Sequence, residues 1–214
     1  MRAYARRTAL AAVVATAAFS LTACGGSGGS ATSVSHHGSA SDSPSAATSP
    51  AQAKAGHNTA DVAFAQQMIP HHRQAVTMAE MAEEKASSAD VKALAAEIKK
   101  AQAPEITTMS GWLKAWGEDV PVDAGSAMPG MHHASSDMPG MMSERDMTAL
   151  GRKSGRAFDT AFLTMMVEHH QGAVDMARTE RTGGAFAPAR TLAGAVITAQ
   201  TAEIAQMKKM LGKD

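Results

Sequence analysis

The chain has 214 residues, 44% of them hydrophobic and only 4% aromatic. Lys+Arg and Asp+Glu number 20 each, so the formal net charge is zero and no basic face is offered to nucleic acid. One cysteine excludes an internal disulfide, while 16 methionines and 9 histidines supply side chains that ligate metals or, for methionine, fill an irregular core.

Residues 1–23 read as a lipoprotein signal peptide. Arg2, Arg6 and Arg7 form a positive start, and Thr8 to Ser20 is an apolar run too short for a comfortable membrane span. Leu21-Thr22-Ala23-Cys24 resembles a bacterial lipobox, which makes Cys24 the expected lipidation site and first mature residue. The expectation is an exported protein held by its lipid to the outer face of the cytoplasmic membrane, or periplasmic or at the cell surface. Residues 24–56, rich in Gly, Ser, Ala and Pro, are expected to be a disordered tether, with His36-His37 as an exposed polar pair or a loose metal site.

A folded region is expected over 57–214, with a first hairpin at about 60–116. Phe64, Met68, His71, Ala75, Met78 and Ala82 recur at steps of three and four, the spacing of one helix face. Ser87-Ser88-Ala89-Asp90 ends this run and offers N-cap residues to a second helix. That helix carries Leu94, Ile98, Gln102, Glu105, Met109, Trp112 and Trp116, and Pro104 within it is expected to bend it or cost a hydrogen bond.

The segment from Asp61 to Ala79 returns 98 residues later at Asp159 to Ala177, and the same offset carries Gln102, Glu105 and Met109 onto Gln200, Glu203 and Met207. A second hairpin is therefore expected at about 156–212, with Pro188 in the first turn of its last helix. Neither hairpin buries its apolar stripe alone. Two together give an all-α, four-helix bundle. The linker at about 117–155 contains Met128-Pro-Gly-Met131-His132-His133, then Met138-Pro-Gly-Met141-Met142, and one short helix is expected near 143–152.

On the helical wheel His71 and His169 fall within the apolar stripe and His72 and His170 at its edge, each edge histidine near Asp61 or Asp159. Two readings are open. In one, His71–Glu105 and His169–Glu203 are structural ion pairs. In the other, these imidazoles bind a metal together with Met68, Met166, Met78, Met176, Met109 and Met207. Asp61, Asp159, Glu105 and Glu203 would then ligate or orient the rings. The repeated Met-Pro-Gly-Met, read as exposed with no core to fill, favours a soft ion such as Cu(I) or Ag(I).

The Met-x-x-His-His-x-x-Ala-Val-x-Met-Ala segments at Met68–Ala79 and Met166–Ala177, with Gln-x-x-Glu-Ile-x-x-Met at 102–109 and 200–207, resemble the family of domain of unknown function 305. That resemblance implies a ferritin-like bundle of two similar hairpins and, through members of the CopM type, extracytoplasmic copper binding. The expected ligand is a copper ion, with other transition metals open, and the expected partners are the membrane and a copper-handling protein. A ferritin-like di-metal oxidase is the enzyme alternative, but no Glu stands three residues before either His pair. A metal-free, partner-binding bundle is the third reading.

Overall fold

A computed structural model describes residues 56–122 and 138–213, all of them within one compact unit, Ser45–Asp214. The described residues contain five helices and no strand: α1 (Thr59–Lys85), α2 (Ala89–Trp116), α3 (Glu144–Gly151), α4 (Gly155–Gly183) and α5 (Ala187–Met210). The signal peptide, Cys24 and His36-His37 lie outside the described residues, as do Met128, Met131, His132 and His133.

Local chemistry places the helix ends. Asn58 caps α1 in a reciprocal capping box with Asp61, and Ser88 caps α2 through Val91 N–H. Pro188 sits in the first turn of α5, where its missing N–H costs nothing. Pro104 does not end α2, and Pro70 also lies inside α1, immediately before the first His pair. Each leaves one carbonyl of the preceding turn without its helical donor.

α1 packs on α2 and α4 on α5, and the two hairpins join through α1 and α4. None of the described helices is long and apolar enough to cross a membrane. The stripe expected from the first helix is buried throughout: Phe64, Met68, His71, Ala75, Met78 and Ala82.

The core divides into two apolar halves. One gathers Phe64, Met68, Ile69, Met109 and Trp112 with Ala173, Met176, Phe186 and Val196. The other gathers Ala75, Met78, Leu94 and Ile98 with Phe158, Phe162, Met166 and Met207. Every long helix crosses from one half to the other, and at each crossing it carries polar residues: His71 and His72, Gln102, His169 and His170, Gln200.

The hairpins are tied at both ends by reciprocal caps. Asp61, at the start of α1, accepts hydrogen bonds from the backbone N–H of Ala185 (3.1 Å) and Phe186 (2.9 Å), in the turn between α4 and α5. Asp159, at the start of α4, accepts from Ser87 N–H (3.0 Å), Ser88 N–H (3.1 Å) and Ser87 Oγ (2.5 Å), in the turn between α1 and α2. Each aspartate thus satisfies the turn of the opposite hairpin. Neither stands beside an imidazole as the helical wheel suggested, because side chains ten positions apart on a helix are roughly 15 Å apart along its axis.

Candidate metal centre

All four histidines of the repeat are fully buried, His72 and His170 included, which corrects their expected edge position. The rings of His71 and His169 meet across the α1–α4 seam with centroids 3.7 Å apart. These two residues are equivalent in the repeat, so the approximate two-fold relation between the hairpins passes between them.

The carboxylates pair with the other two histidines. His72 Nε2 lies 2.7 Å from Glu105 Oε2, and His170 Nε2 lies 2.7 Å from Glu203 Oε2. The expected His71–Glu105 and His169–Glu203 pairs are therefore wrong by one residue. The second His of each doublet faces its own hairpin partner, and the first faces the other hairpin. A shift of one residue turns a helical side chain by about 100°, enough to decide between those two neighbours.

Hydrogen-bond chemistry fixes the ring orientations. A carboxylate accepts, so Nε2–H of His72 and His170 donates, leaving Nδ1 of each without a partner. His71 Nε2 lies 3.1 Å from the Pro139 carbonyl oxygen, which only accepts, so Nε2–H donates there and Nδ1 again has no partner. His169 finds a partner at neither ring nitrogen. Gln102 and Gln200 lie in the same layer, with both side-chain polar atoms of Gln102 and the Oε1 of Gln200 unpaired.

Burial holds His71 in its neutral form, pushing its pKa down to about 3, with the charge on His72 acting in the same direction and the Pro139 hydrogen bond opposing. His169 is also held well below the ordinary range, by burial first and then by His71, His170 and His72. Neutral imidazoles with free nitrogens are the form that ligates a metal. The thioethers stand just beyond the layer, Met68 and Met109 in one apolar half, Met166 and Met207 in the other, all four fully buried. Met78 and Met176, one or two turns further along, are buried within those halves. Among the described residues, no three His, Cys, Asp or Glu side chains converge on one point. The buried thioethers beside the layer add sulfur to the nitrogen and carboxylate donors present there.

The second Met-Pro-Gly-Met is not a free arm. Met138, Met141 and Met142 are half-buried, and Met142 packs against the apolar half that contains Met78 and Met166. Gln74 grips the backbone of Met142 twice, accepting from its N–H and donating to its carbonyl, both at 2.8 Å. The upstream linker also lies on α1, with Gln66 donating to the Asp119 carbonyl (3.1 Å) and Arg73 to the Pro121 carbonyl (2.5 Å).

One further buried carboxyl was not foreseen. Glu180, 1% exposed, lies against Asp61 at the end of α4, where the first hairpin has Ala82. Burial raises its pKa to about 8, helped by the neighbouring Asp61 carboxylate, with Arg190 opposing. For Asp61, burial pushes the pKa upward, but the backbone N–H donors of Asn58, Phe186 and Ala185, with the neighbouring Glu180 side chain, outweigh it and bring it below the ordinary range. Comparing the repeats position by position, Ala82 against Glu180, carries the signal that would have found it.

The model of the family described as domain of unknown function (DUF305) matches residues 61–211. No curated protein is similar enough to count as a match. Among solved structures, CopM in its Cu(II)-bound form is 37% identical, with 70% of this chain and 94% of that chain covered and a TM-score of 0.59. CopM is also known in Cu(I)-bound, Ag-bound and apo forms. A DUF305 protein of Streptomyces coelicolor, assigned as secreted, is 32% identical, covering 72% of this chain and 93% of its own, with a TM-score of 0.62. A DUF305 fragment from Deinococcus radiodurans is 29% identical, covering 73% and 98%, with a TM-score of 0.63.

Proposed function

The chain belongs to the DUF305 family, and from that premise we propose that it is an extracytoplasmic copper-binding protein that sequesters the ion or hands it on. It acts by ligation, without turnover. The observation that carries the reading is the pair of Glu–His arrangements: Glu105 and Glu203 accept from Nε2–H of His72 and His170, and Nδ1 of each ring is free. A histidine that ligates a metal through one nitrogen commonly donates its other N–H to a carboxylate, which fixes the ring and raises its basicity. Nearby thioethers suit Cu(I), and imidazole suits Cu(II) as well. The copper-bound and silver-bound forms of CopM support the choice of metal.

Location is part of the same reading. The charged start, apolar run and Leu-Thr-Ala-Cys24 of the sequence support export and a lipid anchor, and the secreted assignment of the Streptomyces relative supports export. The folded unit then works outside the cytoplasm, where a copper-handling protein is its natural partner. The linker donors Met128, Met131, His132 and His133 would extend its capacity for soft ions.

Copper titration against a chelator of known affinity tests this. The variant carrying Ala at His71, His72, His169 and His170 is expected to lose the tightest site. The milder Glu105→Gln/Glu203→Gln variant, with its histidines intact, is expected to bind copper about 10–100-fold more weakly. Folding is checked in parallel by helical circular dichroism. A folded four-His variant with unchanged stoichiometry and affinity would sink the proposal.

A further inference from the structure

The two hairpins share the His-His doublets and the Gln102/Gln200 and Glu105/Glu203 pairs, but beside the histidines they differ at Ile69/Val167, Pro70/Glu168, Arg73/Gln171 and Gln74/Gly172, and the last of these pairs bears on the linker. Both residues touch the same piece of linker. Gln74 holds Met142 by its two backbone bonds. Gly172 admits the linker backbone so closely that a Cβ there would stand 1.9 Å from the Pro139 carbonyl oxygen. Gly140 reciprocates, since a Cβ on it would stand 2.6 Å from the Glu168 carbonyl oxygen and 2.9 Å from that of His169. One divergent position therefore grips the linker and its counterpart makes room for it.

The docked piece has a defined shape. Met141 N–H donates to the Met138 carbonyl at 3.1 Å, and Gly140 has φ +75°. Proline at the second position and a positive-φ glycine at the third define a type II turn, whose first and last Cα atoms lie within about 7 Å of each other. The turn therefore launches two thioethers, Met138 and Met141, from adjacent corners. Its middle carbonyl, Pro139, is the one that receives His71 Nε2–H. The histidine layer in turn has free ring nitrogens but, among the described residues, no third His, Cys, Asp or Glu to complete a site.

We propose that Gln74 and Gly172 are positioning residues that seat the Met138–Met141 turn over the histidine seam, and that this turn supplies the soft donors of the site there. The inference rests on the metal-binding reading above and specifies which ions that site prefers. A thioether supplied by the strap favours Cu(I) and Ag(I). Zn(II), which is bound by imidazole and carboxylate, gains nothing from it. Unseating the turn therefore changes selectivity, not merely stability.

The test uses the whole chain with Ag(I), which avoids copper redox chemistry, and Zn(II) as the control ion. Gln74→Ala releases the strap from one side, and Gly172→Ala pushes it off from the other. Each is expected to weaken Ag(I) binding by about tenfold, the scale of losing a supporting contact at a metal site, and to leave Zn(II) binding unchanged. Met138→Leu/Met141→Leu is expected to reproduce the loss. Adding Gln74→Ala to that pair makes it no worse, because both act through one contact. Equal losses for both ions, or Ag(I) binding unaffected by Gln74→Ala, overturn the role of the strap while the metal-binding reading stands. An unmodified chain that binds neither ion overturns both.

Discussion

Replacing Asp61 or Asp159 with alanine is expected to cost about 3 kcal/mol each, since leaving a buried N–H without an acceptor costs about 1–3 kcal/mol and each substitution strands more than one. Asp61 accepts from Asn58, Ala185 and Phe186, and Asp159 from both turn serines. For a chain of this size the melting temperature falls roughly 2–4 °C per kcal/mol, so each variant melts roughly 6–12 °C lower. The two sites lie at opposite ends of the antiparallel α1–α4 pair. The double variant is therefore expected to sum the single effects to within about 0.5 kcal/mol. Asp61→Asn, which keeps one acceptor oxygen, should recover part of the loss. Melting curves that barely move would mean that the turns satisfy their own amides, and that the caps are incidental.

The second large effect is on pH. Metal-free, the chain is expected to be most stable near pH 6.5 and to weaken on both sides. Below that point, His71 and His169 gain protons when unfolded but resist them when folded, because their pKa values are depressed from the ordinary 6.5, that of His71 to about 3. Stability present above pH 6.5 is thus lost as pH falls toward those folded values. At pH 5 the loss is about 2 kcal/mol for His71, at 1.4 kcal/mol per pKa unit, and His169 adds to it in the same direction. Glu180 works in the opposite sense. Its pKa is raised from 4.5 to about 8, so the stability it contributes is complete below pH 4.5 and is lost as pH rises through 8. Between pH 4.5 and 6.5 two histidines outweigh one glutamate, and above 6.5 only the glutamate acts. Denaturant titrations across pH 4–9 test this, with Glu180→Gln flattening the alkaline limb and His71→Asn/His169→Asn the acid limb. A profile level from pH 5 to 8 in the unmodified chain would contradict both assignments.

Much of this architecture was legible because it repeats. The His-His doublets, the apolar stripes and the constant offset between hairpins are local or periodic signals, and they led to the helices and their pairing. The partners of the polar groups were not legible in the same way. Whether Glu105 meets His71 or His72 depends on how far α2 is rotated about its axis, which a spacing pattern does not contain. Asp61 and Asp159 looked like candidate ligands because they precede the histidines on the same helix. Their acceptor role belongs to a turn more than a hundred residues away for Asp61, at Ala185 and Phe186, and some seventy away for Asp159. The second Met-Pro-Gly-Met was read as exposed because linkers usually are. The signal against that was the lapse of the repeat at Gln74 and Gly172, where a residue that grips faces one that yields.

The reciprocal caps also bear on how such a molecule comes to exist. A single hairpin offers one aspartate and one uncapped turn, and two identical hairpins side by side would satisfy each other completely. The chain is in effect a symmetric dimer whose halves were joined head to tail. In two separate copies of one hairpin, position 74 and its counterpart 172 would have to be the same residue. In a single chain that requirement is absent, so one side holds glutamine and the other glycine. A connecting segment can then lie across an interface that, by its symmetry, had no preferred direction.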